Sequence, residues 1–452
     1  MALAASEDPA AGQGPETDAT TSRRSGARLA GFIASCGAAG QAYLIRLLTI
    51  PSRAAVAFLV ATLGLVPVAL VPRDTPIYVG IANSVPTLFN YTIAIVVAAG
   101  VMAMTVPRLF RTALLPWSPF VVLAVTLTAL VWSFSARHVS GLLQLCLGVL
   151  AFAVGVVAER LERRESLLPQ AFAVVAWGQL FAILMAAVGL PLRNITGPQA
   201  LDIHGRATGL TAHPGELSKL LFFCALCALM LPQRSNRERW AVWSTLGVAF
   251  IGVFLTQSRT ILAAIISMVL IFLLLELSAG RWQRKHFAVL GLTVVLGAAS
   301  LPWLISRFAA DPAGGARGHV AEVAFQAIRD HPWAGVGPNS YVAVVGLADQ
   351  LTATGVPVHN VFLLTAAELG VAGALFLWLP VGLVLGWALY HTIRSRGRDQ
   401  SARVIVSASP GICLIGMTGW GLLQGPYFAI FLLVLGYFGA RVGSGQIEEN
   451  PG

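Results

Sequence analysis

Charge is scarce in this sequence, and acid is scarcer still. Of 452 residues only 20 are Asp or Glu, and charged residues of both signs make up 11%, where a soluble domain carries roughly a quarter. Too few solvated side chains exist to cover a water-facing body, which excludes an ordinary soluble domain. Lysine is almost missing: Lys219 and Lys285 stand against a background of arginine. Cysteine is rare too, five in all, and Cys36, Cys146, Cys224, Cys227 and Cys413 sit in or beside apolar runs, so no disulfide framework is implied. The C-x-x-C at 224 and 227 lies inside LLFFCALCALM and reads as two small buried side chains rather than a redox or metal pair. No D-x-D pair of acids occurs. The start of the chain, to about Arg28, lacks the apolar core and cleavage site of a signal peptide; its Ala, Gly, Ser, Thr, Pro and charge read as a disordered cytoplasmic tail.

What is present is apolar: 56% of residues are hydrophobic. A run must be roughly 20 residues long to cross about 30 Å of hydrocarbon, and such runs fall near 54–72, 88–106, 115–132, 138–158, 167–189, 214–231, 241–257, 259–278, 287–304, 359–390, 404–422 and 426–440. The expectation is an all-α, polytopic integral membrane protein with about 12 spans. It divides into a basic tail and approach to the membrane (1–53), nine spans (54–304), an extramembrane loop (305–358), three further spans (359–440) and a tail (441–452).

The net charge of +10 would point to a polyanion in a soluble chain. Here it bears on orientation, and no nucleic-acid partner is expected. Alternate connections carry Arg108 and Arg111; Arg160, Arg163 and Arg164; Arg234, Arg237 and Arg239; Arg281, Arg284 and Lys285; and Arg394, Arg396, Arg398 and Arg403. Basic residues mark the cytoplasmic side, so both termini are placed inside.

The outer face then holds the loop from about Leu190 to His213, the tight turn TQSR ending in Arg259, and the long segment 305–358. Within that segment Val320, Val323, Ala324, Ala327 and Ile328 recur at helical spacing, predicting an amphipathic helix. HPWAGVGPNSY comes next as a glycine- and proline-rich loop. Three ionisable groups gather at this face: Arg206 in RATGLTAHPGEL, Arg259 in QSRTILAA, and His359, which opens HNVFLLTAAELGVAG. Such groups at a membrane edge either anchor the chain or hold an anion.

The spacing H-N-x9-G-x-x-G at His359, Asn360, Gly370 and Gly373, with RATGLTAHPGEL, QSRTILAA and IRDHPWAGVGPNSY before it in that order, resembles the O-antigen ligase and polymerase superfamily over about Arg206 to Gly373. The resemblance implies a membrane glycosyltransferase of the GT-C type in the bacterial inner membrane. It would move a glycan from undecaprenyl diphosphate to the lipid A-core acceptor at the periplasmic face. It assigns diphosphate binding to Arg206 and Arg259 and the catalytic role to His359. No cofactor and no metal are expected, because two arginine forks can neutralise a diphosphate leaving group. An imidazole can take the proton of the attacking hydroxyl.

Several further groups are candidates for support. His213, Glu216 and Lys219 share a helix face, as a charge pair or as lining for the donor site. Asn360 reads as a cap, Glu368 lies on the His359 helix, and Arg317 and Arg329 are possible phosphate contacts. Trp333 and Tyr341 could stack on sugars or pack the loop. Gly370 and Gly373 read as positions where the helix sits close to its neighbours. A polymerase of the same superfamily, another glycan ligase, and a lipid-glycan flippase or secondary transporter remain the alternatives. A transporter would place its ionisable groups near the bilayer midplane and usually show an internal repeat.

Overall fold

In the computed structural model the described residues are 51–65, 91–162 except 133, 166–192 except 191, 205–231 except 212, 235–280, 317–423 and 426–444, with 291, 298, 302 and 305. The helices are α1 (Pro51–Leu65), α2 (Tyr91–Thr105), α3 (Pro107–Leu114), α4 (Ser118–Leu127), α5 (Ala136–Glu162), α6 (Leu167–Ala187), α7 (Pro214–Ala228), α8 (Asn236–Leu255), α9 (Arg259–Ser278), α10 (Arg317–Asp330), α11 (Tyr341–Val345), α12 (Gln350–Ala353), α13 (Val361–Arg394), α14 (Gln400–Thr418) and α15 (Tyr427–Arg441). No strand occurs among the described residues. Contacts divide the chain into Met1–Ala54 and Ala55–Gly452, and every candidate functional group belongs to the second unit.

Among the described residues all regular structure is helical, as a multi-pass membrane protein requires. Among the described residues, seven helices are long and apolar enough to cross a membrane: Pro107–Trp132, Ala136–Leu161, Leu167–Ala187, Asn236–Leu255, Arg259–Ser278, Val361–Arg394 and Gln400–Thr418. Pro51–Leu65, Tyr91–Thr105 and Tyr427–Arg441 are shorter apolar helices. The first of the seven absorbs Pro107, Pro116 and Pro119 by running α3 and α4 together through a 3-10 turn and ending in a π turn. The span expected over 287–304, apart from 291, 298 and 302, lies outside the described residues. So do most of the tail 1–53, positions 306–316 of the long loop, and Arg163, Arg164, Arg234, Arg281, Arg284 and Lys285.

Local chemistry sets the helix starts. Ser235 and Glu238 form a reciprocal capping box at α8, as the S-x-x-E spacing dictates. At α13 the Asn360 side chain accepts from the Phe362 and Leu363 amides at 2.9 and 3.1 Å, two of the donors a helix start leaves unsatisfied.

At the centre stands α7, buried along nearly its whole length, with Glu216, Ser218 and Lys219 in its first turns and only apolar or small side chains beyond them. Cys224 and Cys227 are fully buried within it. α5 and α15 pack closely and in parallel, because Gly148 and Gly155 of one and Gly436 of the other leave no Cβ between them and Phe428, Leu433 and Phe152. Small residues permit such approach where lipid provides no hydrophobic drive.

α14 fixes the relative heights of the remaining helices. A Cβ on Gly411 would lie 3.0 Å from Phe222 of α7 and 3.2 Å from Ala264 of α9, and one on Gly416 would lie 3.2 and 3.1 Å from Val361 and Phe362 of α13. At the other end Gln400 Nε2 donates to the Leu229 carbonyl at 2.8 Å. There too the buried Arg403 pairs with Glu276 of α9 at 2.6 Å and donates to the Gly397 carbonyl. α7 and α9 therefore run antiparallel to α14, and α7, α9 and α13 all begin where α14 ends. The arginine-rich connection 394–398 lies at the opposite end of the bundle.

Candidate functional site

The end of the bundle where α14 finishes is where the chemistry gathers. Counting five residues back from Ala264 to Arg259 rises about 7.5 Å, the same rise as the five from Gly411 to Gly416. Arg259 thus stands level with Gly416, and so do the first residues of α13 beside His359. Both helices pack on α14, and at roughly 8–10 Å per packed pair their axes lie within about 20 Å of each other.

Arg206 joins Arg259 through the end of α8. Its Nε donates to the Thr256 carbonyl at 2.9 Å and the Ala207 amide to the Leu255 carbonyl at 3.0 Å, satisfying acceptors that a helix C-terminus leaves open and that attract a cation. Thr256 is three residues before Arg259, with Gln257 between them in the left-handed region (φ 56). One turn therefore holds the Arg206 guanidinium and carries the backbone into Arg259. The segment before α7 is fastened from the other side by Gln179 of α6, whose Oε1 accepts from the Leu210 amide at 2.9 Å while its Nε2 donates to the Gly64 carbonyl at 2.6 Å.

His359 sits half-buried just before α13, with Nδ1 buried. Burial lowers its pKa below the ordinary value of 6.5 and the positive field of Arg317, at the head of α10, lowers it further; the Pro357 backbone opposes both. The imidazole is therefore held neutral at neutral pH, the form that accepts a proton.

α13 is not one straight helix, and this corrects the expected uninterrupted span over 359–390. Gly370 takes φ 72, ψ 169, a region essentially restricted to glycine. A straight helix would separate Thr365 from Trp378 by about 20 Å and Phe362 from Trp378 by about 24 Å. Instead Trp378 Nε1 donates to Thr365 Oγ1 at 2.9 Å, and its ring centroid is 4.9 Å from that of Phe362. The segments on either side of Gly370 fold toward each other. A Cβ on Gly373 would lie 2.8 Å from that of Leu369 across the bend. Gly370 makes the bend and also lies against the Trp333–Ala334 backbone, the close approach to a neighbour expected of it, whereas Gly373 meets only Leu369 of its own helix. Replacing Gly370 with Ala puts a Cβ against the Trp333 carbonyl as well as straining the backbone. We expect it to cost roughly 1–3 kcal/mol, read as a lower midpoint of thermal unfolding in detergent.

The outside of the bend is gripped by the loop after α10. The Val336 and Gly337 amides donate to the Ala367 and Glu368 carbonyls at 2.9 Å each, and the Val371 amide to the Pro332 carbonyl at 2.8 Å. The Glu368 carboxylate accepts from the Asn339 and Tyr341 amides, both at 3.1 Å. Trp132 Nε1 donates to the Ala334 carbonyl at 2.8 Å and Asn339 Nδ2 to Ser140 Oγ at 3.2 Å, tying the same loop to the end of the preceding span and to the first turns of α5. A Cβ on Gly337 would lie 2.6 Å from the His138 ring.

The other candidates take more varied positions. α10 forms over Arg317–Asp330, burying Val320, Ala324 and Ala327. His319 on it pairs with Asp349 at 2.6 Å. Hydrogen bonds from Thr352 and His319 hold the Asp349 carboxyl down at about 2. Arg329 pairs with Glu322 at 3.3 Å on an exposed face. His213 caps α7, its Nδ1 accepting from the Gly215 amide at 3.0 Å. Lys219 has its ammonium 5.4 Å from the Tyr427 ring centre and within the field of Glu216, three residues above Phe222 and so just below the level of Arg259. Trp333 is 81% exposed, whereas Tyr341 is fully buried, so Tyr341 offers no face to a sugar.

Sequence reasoning did not find Thr256, Asn339 or Trp132, whose contributions are a carbonyl, a left-handed turn and a bond across 202 residues; no local pattern marks any of them. Residues 244–378 match the family model described as O-antigen ligase. The match takes in Arg259, α10, the loop, His359 and the bend, and begins after Arg206. No curated protein matches the chain.

Proposed function

We propose that the chain is a membrane glycosyltransferase of the O-antigen ligase and polymerase family, whose ligase model matches residues 244–378, and that it is the ligase. On this reading it transfers O-antigen from undecaprenyl diphosphate to the lipid A-core acceptor at the periplasmic face of the inner membrane. The basic connections face the cytoplasm, both termini lie inside, and twelve spans complete the GT-C architecture. The observation that supports it most is the gathering of Arg206, Arg259 and His359 at one end of the bundle, away from the arginine-rich connections.

The donor diphosphate lies against Arg206 and Arg259, whose forks match phosphate oxygens. The acceptor hydroxyl attacks the anomeric carbon, the bond from that carbon to the diphosphate oxygen breaks, and undecaprenyl diphosphate leaves with the electron pair. His359 takes the hydroxyl proton. One displacement inverts the anomeric centre. With charge neutralised by arginine the reaction needs no divalent ion, so transfer by the purified protein stays unchanged in EDTA. Loss of activity that magnesium or manganese restores sinks that point.

The deciding assay mixes purified protein, lipid-linked glycan and lipid A-core in detergent, where no compartments exist. Capped core is the expected product; a transporter makes none. Elongated lipid-linked glycan with uncapped core identifies a polymerase instead.

A further inference from the structure

We propose that Lys219 is the acceptor's anion contact: its ammonium holds a phosphate group on the acceptor glycan, from the face of α7 turned away from α8 and toward the start of α13. The inference rests on the reading of the chain as a ligase with His359 as its base.

A lysine on a helix within the bundle is costly and marks a place that substrate or water reaches. From Glu216 to Ala228 every residue of α7 is buried except Lys219, which is half-buried. The core opens at this one side chain. Among the described residues its ammonium meets a ring face rather than a carboxylate, with the centre of the Tyr427 ring 5.4 Å away. A ring attracts the charge but has no lone pair to spend on the three N–H donors. Those donors remain for an anion, and an ammonium is a point charge suited to phosphate.

The helix repeat sets the direction in which the side chain points. Leu221, two residues on and so across the helix, packs on α8, where a Cβ on Gly252 would lie 2.5 Å from it. That is the helix whose end holds Arg206. Phe223, four residues on and so on the Lys219 side, has its ring centre 6.2 Å from that of Phe431 in α15. Phe431 is 6.5 Å from Trp378, and Trp378 is 4.9 Å from Phe362, three residues past His359. One row of rings therefore joins the Lys219 face of α7 to the start of α13, and both helices touch the 3-10 turn Trp420–Leu422.

The heights agree as well. Phe222 meets α14 at Gly411 and Val361 meets it at Gly416. Lys219 stands about 4.5 Å outward of Phe222 and Val361 about 7.5 Å outward, a difference of about 3 Å. With α15 between them, the axes of α7 and α13 lie at most about 20 Å apart, a gap that side chains from both sides and a short run of sugars fill. An acceptor whose hydroxyl is at His359 brings its neighbouring sugars toward Lys219, while the donor diphosphate keeps the arginines.

The test uses the full chain in detergent with lipid-linked glycan and two acceptors, lipid A-core and the same material stripped of phosphate by a phosphatase. Wild-type protein has a KM for the phosphorylated acceptor about tenfold below that for the stripped one. In Lys219→Met the difference between the two acceptors disappears while KM for the donor does not follow, and Lys219→Arg recovers most of the preference. Binding of each acceptor without donor is measured alongside and shows the same pattern. Lys219→Gln carries the comparison should Lys219→Met not fold. A rise in donor KM in place of acceptor KM, a preference that survives in the folded variants, or a wild type that binds both acceptors equally overturns the proposal. Wild-type protein that makes no capped core sinks the ligase reading instead, and the binding preferences of wild type and variants still decide the role of Lys219.

Discussion

His359→Ala lowers kcat about 10²- to 10⁴-fold, the usual contribution of a positioned general base, while the protein remains monodisperse and unfolds at close to its normal temperature. The small structural effect follows from the position: His359 is half-buried before the helix start, and the capping bonds at α13 belong to Asn360. The pH dependence has a defined sign. Only the neutral imidazole accepts a proton, so activity falls as pH drops through the pKa of the folded histidine. Burial first and the Arg317 field second place that pKa below 6.5, and the acid limb of kcat/KM lies below that pH. An alanine variant that is folded and transfers glycan at the normal rate ends the assignment.

The second large effect is expected from the two arginines. Hydrogen bonds to a charged partner are worth about 1.5–3 kcal/mol each, so Arg259→Ala should lower kcat/KM for the lipid-diphosphate donor by roughly 10- to 150-fold. Arg206→Ala should act similarly and also lose the cap on the α8 carbonyls, which shows as a small fall in thermal stability. Lysine at either position restores charge without the planar fork and recovers only part of the loss. The measurement is steady-state kinetics with donor concentration varied at saturating acceptor. If folded alanine variants of both positions keep wild-type kcat/KM, the diphosphate lies elsewhere.

These predictions rest on residues the sequence marks and on geometry it does not. Arg206, Arg259 and His359 stand out because an ionisable group beside a long apolar run is costly and has to be accounted for. Their positions at helix starts follow from counting spans. That they share one level does not, since it depends on how α9 and α13 register against α14 through Gly411 and Gly416. The glycine pair shows the difference most clearly. G-x-x-G is legible as a place without side chains, but not as a bend, because the positive φ of Gly370 is set by the Trp333 carbonyl pressed against it from a loop 37 residues earlier in the chain. Likewise Glu368 reads as an acid on an apolar helix, and its partners are backbone amides, which every residue has.

What the sequence determines by itself is the environment and the class of chemistry: too little charge for water, apolar runs long enough for a bilayer, basic residues on alternate connections, and a motif order that resembles one family. These are properties of composition and spacing, so they survive without coordinates. The tertiary structure alone decides which ends of the packed helices meet, that α13 folds back on itself at Gly370, and that Arg206 is bonded to the turn before Arg259. Those facts arise from long-range packing and backbone hydrogen bonds, whose partners are chosen by shape in three dimensions and leave no periodic trace along the chain.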